Sequence, residues 1–311
     1  MGMSAVRRLW SVLGYGLFAA GVLLVMLRLL FPGEAVRRSF EGMLGRLWPE
    51  LHWQVGGVVL ELPAHLTFRL IEGYANREDR TPLVRFERLS IQPHLLASLR
   101  SWSGQVDFLL AAGKGSVEGT AQWQGGSEGG RIEGAIQDVS MTELPWFSRQ
   151  LGRSMQGTVA GTFTAEVRPT PSAVAILEAR INVVNGQLGL QRPILGHREL
   201  PFAKASVVVH GQGETLTLEQ GLVASNLLDS RFAGTVILGH DPVLWQIDVH
   251  GVAEPKEGFF KGLDNTVNLQ AFRLQLKDHA LPFSITGGLA NPGIHYGEYA
   301  MLVQTLEQEL R

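Results

Sequence analysis

The sequence predicts a mainly β protein, in which an N-terminal transmembrane helix is followed by one curved antiparallel β-sheet carrying a few short helices. Three observations predict it. Residues 9–27 contain no charged side chain, and with Leu29, Leu30 and Phe31 the run is long enough to cross a hydrocarbon core of roughly 30 Å as a helix. From His52 onward the apolar period changes from helical to two, which gives each strand one buried and one wetted face, as in antiparallel sheets. Glycine, at 37 residues, recurs in short turns through this region, as hairpins and bulges require. No strand–helix alternation is sustained, which argues against a parallel nucleotide-binding sheet.

Residues 1–8 read as a short cytoplasmic tail and residues 9–31 as the spanning helix. Leu17, Phe18 and Val22 to Met26 fill its second half, and Trp10 and Tyr15 sit at the entry side, where amphipathic rings are favoured. Arg28 snorkels toward the headgroups. A cleaved signal peptide is the competing reading, but no small-x-small site follows the apolar run. Arg7 and Arg8 on one side balance Arg28, Arg37 and Arg38 on the other. Orientation therefore rests on the short tail and the long following domain, which place the N-terminus inside.

Residues 32–51 predict an amphipathic juxtamembrane helix. Val36, Phe40, Met43, Leu44, Leu47 and Trp48 form one stripe opposite Arg37, Arg38 and Arg46, and Pro49 ends it. Such a helix suits either the membrane surface or one end of the β domain.

Residues 52–292 are expected to form the β-rich domain. Val159, Gly161, Phe163, Ala165 and Val167 alternate with Thr158, Thr162, Thr164 and Glu166, and Leu177, Ala179, Ile181 and Val183 alternate with Glu178, Arg180 and Asn182. Leu216, Leu218 and Leu222 repeat the pattern, as do Phe232, Val236 and Leu238, then Phe272, Leu274 and Leu276, then Phe283, Ile285 and Leu289. Turns are expected at Gly113–Gly115, Gly125-Gly126, Gly129-Gly130, Gly211–Gly213 and Gly287-Gly288. A short helix over Glu143–Leu151, with Leu144, Phe147 and Leu151, separates two blocks of strands. Residues 293–311 end in a helix from Glu298 to Leu310 with Met301, Leu302, Leu306 and Leu310 on one side. Gly115–Gly119, Gly130–Gly134 and Gly157–Gly161 share a spacing of four residues, read as stacked hairpins of one long sheet.

Chemistry is not found in the pattern. The chain has no cysteine, which removes disulfides, thiolate metal sites and cysteine nucleophiles. A net charge of −2 lacks the basic footprint of a nucleic-acid binder. Gly113-Lys114-Gly115-Ser116 lacks the Walker spacing and reads as a hairpin turn. The nine histidines are spread singly without a zinc-protease spacing, and no Gly-x-Ser-x-Gly elbow occurs. Glu118, Glu133 and Asp138 read as a solvated strand face. The expectation is a protein that is not an enzyme and uses no cofactor or metal. Its candidate functional feature is the apolar strand face of Val159, Phe163, Leu177, Ile181, Phe232 and Val236. These residues line either an open groove or a core closed by a second layer, and the sequence leaves both open.

Several segments together resemble type II secretion system protein N, in the form whose periplasmic domain is AsmA-like. They are Leu29-Leu30-Phe31-Pro32-Gly33-Glu34, Trp48-Pro49-Glu50, Leu89-Ser90-Ile91-Gln92-Pro93, Gly115–Gly119, Gln156–Gly161 and above all Phe283-Ser284-Ile285-Thr286-Gly287-Gly288-Leu289-Ala290-Asn291-Pro292. The resemblance covers nearly the whole chain thinly, and the last motif supports the wider AsmA-like group better than the narrow family. It implies a bacterial inner-membrane protein whose β domain stands in the periplasm. Its role would be a scaffold or interaction module for other type II secretion components, the inner-membrane platform or the secretin. AsmA-like proteins also resemble curled sheets with an apolar concave face, so the alternative is a lipid-binding or lipid-transfer protein whose partners are acyl chains. No catalytic residue carries over.

Overall fold

The computed structural model describes the chain except for residues 1–13, 16–17, 20, 23–24, 27–29, 62–64, 77, 95–102, 125–128, 146–147, 150–151, 168–173, 195, 240–243, 262–275, 277–279, 290 and 310–311. One antiparallel sheet of fourteen strands dominates it, with every strand hydrogen-bonded to its neighbours in chain order. The first strands are β1 (His52–Glu61), β2 (His65–Tyr74), β3 (Val84–Pro93), β4 (Ser103–Ala112), β5 (Gly115–Gln124), β6 (Gly130–Ser140) and β7 (Met155–Val167). There follow β8 (Val174–Ile194), β9 (His197–Gln212), β10 (Thr215–Ala224), β11 (Leu228–Ile237), β12 (Gln246–Pro255), β13 (Leu281–Gly288) and β14 (Gly293–His295). A pure meander follows from the sequence: period-two runs joined by short glycine turns pair most readily with what comes next in the chain. Gly113-Lys114 forms the β4–β5 turn as expected.

Helix α1 (Gly33–Leu47) precedes the sheet, the short α2 (Glu257–Phe260) follows β12, and α3 (Ala300–Glu309) follows β14. The β region thus runs to His295, three residues past the expected boundary, because Gly293–His295 pairs with Ser284–Thr286 before the chain turns helical. A 3₁₀ turn spans Met141–Glu143. Helical backbone continues at Pro145, Ser148 and Arg149, while Phe147 and Leu151 of the expected helix lie outside the described residues. The expected strand of Phe272 and Leu274 also lies outside them, and Leu276 is buried.

Among the described residues no helix is long and apolar enough to cross a membrane. The expected span at 9–31 lies largely outside those residues. Gly14, Tyr15, Phe18, Ala19, Gly21, Val22, Val25 and Met26 within it are helical and exposed.

Four non-glycine residues take left-handed backbone angles: Leu70, Asp138, Asn185 and Gln220. Each falls in the second half of an even-numbered strand, so all four lie toward the same end of the sheet. At Asp138 and Gln220 the register shifts by one residue, the signature of a β-bulge, which bends its strand. One expectation fails here for that reason. Leu222 was grouped with Leu216 and Leu218, but the bulge reverses the alternation, and Leu222 pairs with Arg231 at 47% exposure. Gly287-Gly288 likewise lies inside β13, paired with Ile247 and Gln246, rather than in a turn.

Helix α1 packs on the sheet. Val36, Phe40 and Leu44 meet Val55, Phe68 and Ile71, and the Phe40 and Phe68 rings stack at 4.1 Å. Of its two expected positions the helix takes the end of the β domain. Met43, Leu47 and Trp48, placed by sequence on the same stripe, are exposed, because the sheet is met by the narrower i, i+4, i+8 line. At the C-terminus Tyr299, Val303 and Leu306 turn inward and pack with Phe259, Phe260 and Leu281. Leu306 is fully buried and Met301 is 81% exposed, which corrects the expected stripe, since 299, 303 and 306 share a helix face that excludes 301. Leu310 lies outside the described residues.

Candidate functional site

Strand register builds one face of the sheet into a continuous apolar row. Following paired residues from β1 to β14, it reads Leu60, Leu66, Ile91, Phe108, Gly119, Gly134, Phe163, Ala179, Val209, Leu218, Gly234, Val249, Ile285 and Ile294. No polar side chain interrupts it. The neighbouring row on the opposite face reads Gln92, Asp107, Thr120, Glu133, Thr164, Glu178, His210, Thr217, Thr235, Asp248, Thr286 and Gly293. Period-two side-chain direction turns this sequence pattern into two chemically opposite surfaces.

The six residues singled out in the sequence all lie on the apolar face. Val159 and Phe163 on β7 pair with Val183 and Ala179 on β8, while Leu177 and Ile181 on β8 pair with Ala165 and Gly161 on β7. Phe232 and Val236 stand three strands further on β11, opposite Gly221 and Leu216. Five of the six are half-buried, and Val236 alone is buried, at 7% exposure.

The buried clusters gather at two ends of this face. Helix α1 covers β1 to β3, burying Val55, Phe68 and Ile71. Helices α2 and α3 pack against Leu281 on β13, with Leu228 on β11 at the margin. Between them, Val106, Phe108, Val117, Ile136, Phe163, Ile181, Val207 and Leu218 are half-buried, while Ala112, Val139, Ala165, Ala179 and Val209 are buried. This stretch from β4 to β10, seven strands at about 4.8 Å spacing, measures roughly 30 Å. An apolar row of that extent is a candidate binding surface.

Glycines shape the face in a way that the sequence signalled only by spacing. Seven aromatic residues lie over a cross-strand glycine among the described residues: Trp53 over Gly73, Phe108 over Gly119, Trp123 over Gly104, Phe163 over Gly134, Phe202 over Gly186, Phe232 over Gly221 and Phe283 over Gly251. A Cβ at Gly134 would come within 2.7 Å of the Phe163 ring, and one at Gly251 within 2.6 Å of the Phe283 ring. Each ring therefore lies down along the sheet instead of standing off it, which leaves a smooth floor. The Gly-x-x-x-Gly echo has its account here: a spacing of four keeps both glycines on one face, and Gly119 and Gly134 are the ones beneath phenylalanines.

The outer edge of β1 is blocked. The Val55 N–H donates to Glu41 Oε1 at 2.9 Å, and Arg37 Nη1 donates to the Val55 carbonyl at 3.4 Å. Arg37 also donates to Glu34 at 2.8 Å, a bond that raises its pKa. Side chains of α1 thus occupy backbone groups that an added strand would use.

Several charges away from this edge are paired. Lys256 donates to Asp229 Oδ1 at 2.6 Å and to the Ser225 carbonyl at 2.7 Å, and its hydrogen bond holds the Asp229 carboxyl below the usual range. Tyr74 donates to Glu72 at 2.8 Å, which raises the phenol pKa. The Arg153 Nε, like the Arg37 Nε and the Trp53 Nε1, is buried without a hydrogen-bond partner, and burial lowers the Arg153 pKa. Sequence reasoning passed over Arg153, since nothing in its local pattern marks an unpaired arginine. Among the described residues no group of three or more His, Cys, Asp or Glu could hold a metal ion.

No family model, curated protein or solved structure matches this chain.

Proposed function

We propose that the chain is a lipid-binding protein of the bacterial inner membrane that holds acyl chains along the apolar face between β4 and β10. The observation that carries this reading is the unbroken apolar row across fourteen strands, half-buried at Phe108, Phe163 and Leu218, buried at Ala179 and Val209, and underlaid by glycines that flatten the aromatic rings. Water wets such a face at a cost proportional to its area, and a hydrocarbon chain removes that cost without needing hydrogen bonds. The stretch of roughly 30 Å from β4 to β10 is long enough for the acyl chain of one leaflet, about 15 Å long as half of the bilayer core. Register shifts in the same half of β6, β8 and β10, with left-handed residues at each and at Leu70 of β2, bend the strands together, which supports a sheet curved around the apolar face. Residues 9–31 would anchor the chain with its N-terminus inside and the sheet in the periplasm. Among the described residues the apolar row carries no ionisable side chain, which suits binding of hydrocarbon.

Site-specific photocrosslinking in the full-length, membrane-inserted chain tests the reading. A photoreactive amino acid at Phe163 or Ile181 is expected to capture lipid, and one at Thr164 or Arg180 on the opposite face is expected not to. Lipid capture that is equal on both faces, or absent from both, would sink the proposal.

The second reading is an accessory component of type II secretion. It is favoured by the resemblance and by the opposite face, whose ladder from Asp107 to Asp248 offers polar partners to a protein. Protein adducts from Thr164 or Arg180 that contain secretion components would support it, and the two roles are compatible on opposite faces of one sheet. Strand addition at β1 is disfavoured by the Glu41 and Arg37 bonds to Val55.

A further inference from the structure

The two ends of the sheet differ. Odd-numbered strands begin at its upper end and even-numbered strands at its lower end. The upper end is closed. Leu51, Leu83 and Val84 form a buried cluster there with Leu144 at its margin, and Phe259, Phe260, Leu276 and Leu281 form another with Tyr299, Val303 and Leu306. The tip of the β8–β9 hairpin joins the second cluster: Ile194 packs on it, and His197 Nε2 donates to the Phe259 carbonyl at 2.8 Å. At the lower end no described residue in a connection between strands is buried.

Helix α1 shows which end lies nearer the apolar run of residues 9–31. It runs back along β1: the Trp48 ring lies 5.8 Å from that of Trp53, Glu41 accepts from the Val55 N–H, and a Cβ at Gly33 would stand 3.3 Å from the Val58 carbonyl. The ring of Phe31, where the apolar run ends, is 3.7 Å from the same point. Val58 lies three residues before Glu61, the last of β1, so the run leaves the sheet roughly 10 Å from the lower end. Tyr15, Phe18, Val22, Val25 and Met26, helical and exposed, precede it, and hydrocarbon meets such side chains better than water does.

The lower rim carries apolar side chains as well. Trp123, opposite Gly104 at the lower end of β5, is 46% exposed, Ile237 at the end of β11 52%, and Leu244 in the connection to β12 63%. Tryptophan is favoured at the headgroup level of a bilayer. Exposed apolar residues stand elsewhere too, Leu222 and Val252 among them, so exposure alone does not choose an end. The exit of the apolar run beside Val58 does.

We infer that the lower rim rests on the bilayer that holds residues 9–31, and that hydrocarbon reaches the apolar face from that side. This rests on the anchored, acyl-binding reading and adds the route of entry. A rim in contact with the bilayer lets an acyl chain pass to Phe163 without crossing water, and the buried clusters of the upper end oppose its exit there.

The chain has no cysteine, so single cysteines report depth cleanly. Trp123→Cys, Ile237→Cys and Leu244→Cys at the lower rim, with Leu222→Cys and Met301→Cys toward the upper end, are each labelled with an environment-sensitive fluorophore. The full-length chain is reconstituted in phosphatidylcholine–phosphatidylglycerol liposomes whose acyl chains carry a nitroxide near the headgroup. Rim labels, seated roughly 5–10 Å into the interface, are expected to shift to the blue and lose most of their fluorescence. Upper labels are expected to keep both colour and intensity. Leu244 and Ile237 carry the test if Trp123→Cys weakens the fold. Unquenched rim labels, or equal quenching at both ends, would overturn the seating. A photoreactive residue at Phe163 separates the two readings: lipid capture with unquenched rim labels leaves acyl binding standing without the seating, and quenched rim labels without capture do the reverse. Ile237→Asp with Leu244→Asp should lower capture at Phe163 severalfold, and unchanged capture would overturn the route.

Discussion

Replacing Gly186 with alanine probes the device that flattens the apolar face. Gly186 is buried on β8 opposite Phe202 of β9, and the atoms that a new Cβ would strike are all in the Phe202 ring. Its φ is not in the left-handed region, so backbone strain does not enter. Alanine in a strand interior is otherwise better than glycine by roughly 0.5–1 kcal/mol. Displacing a packed ring costs about 1–3 kcal/mol, and a Phe202 ring atom 2.0 Å from the new Cβ puts this case in the upper part of that range, about 2–3 kcal/mol. The difference leaves Gly186→Ala destabilised by about 1–2 kcal/mol, with the ring lifted off the floor. Phe202→Leu removes the obstacle, so in the double variant the new methyl fits beneath a shorter side chain. The two changes should then couple favourably by about 1 kcal/mol. Urea unfolding followed by tryptophan fluorescence on the four members of the cycle measures this. A neutral Gly186→Ala, or two costs that simply add, would show that the ring does not rest on Gly186 and refute the argument for all seven pairs.

Other outcomes follow from single contacts. Leu306→Ala empties the most completely buried position of the C-terminal cluster and should cost about 3 kcal/mol in urea unfolding; a loss under about 1 kcal/mol would mean that α3 is not docked. Glu41→Ala removes the acceptor of the Val55 N–H and should cost about 1–3 kcal/mol. It also frees the β1 edge, so light scattering should show concentration-dependent self-association that the parent lacks. The depressed carboxyl of Asp229 stabilises the fold above its unfolded pKa, and that contribution is lost as pH falls through the lower folded value. Asp229→Asn should therefore flatten the acid limb of the stability–pH profile, and an unchanged limb would dismiss the Lys256 pair as a contributor.

The sequence by itself determined the fold class and the two-faced character of the sheet. Runs such as Val159 to Val167 and Leu177 to Val183 can bury only one side, and the glycine turns between such runs leave a meander as the simplest pairing. The six apolar residues were legible for the same reason, since period-two alternation assigns a face whatever the neighbours are. The tertiary structure decided what alternation cannot. The bulge at Gln220 sent Leu222 to the polar face, because one inserted residue reverses every side chain beyond it and no local residue type announces it. Helix α1 chose Val36, Phe40 and Leu44 over Met43 and Leu47, since the width of the buried stripe is set by which sheet residues meet the helix and not by its own period. The rings over glycine and the continuous apolar row from β4 to β10 both depend on which strand lies beside which. Register between strands is a long-range quantity, and it exists only once the chain has folded.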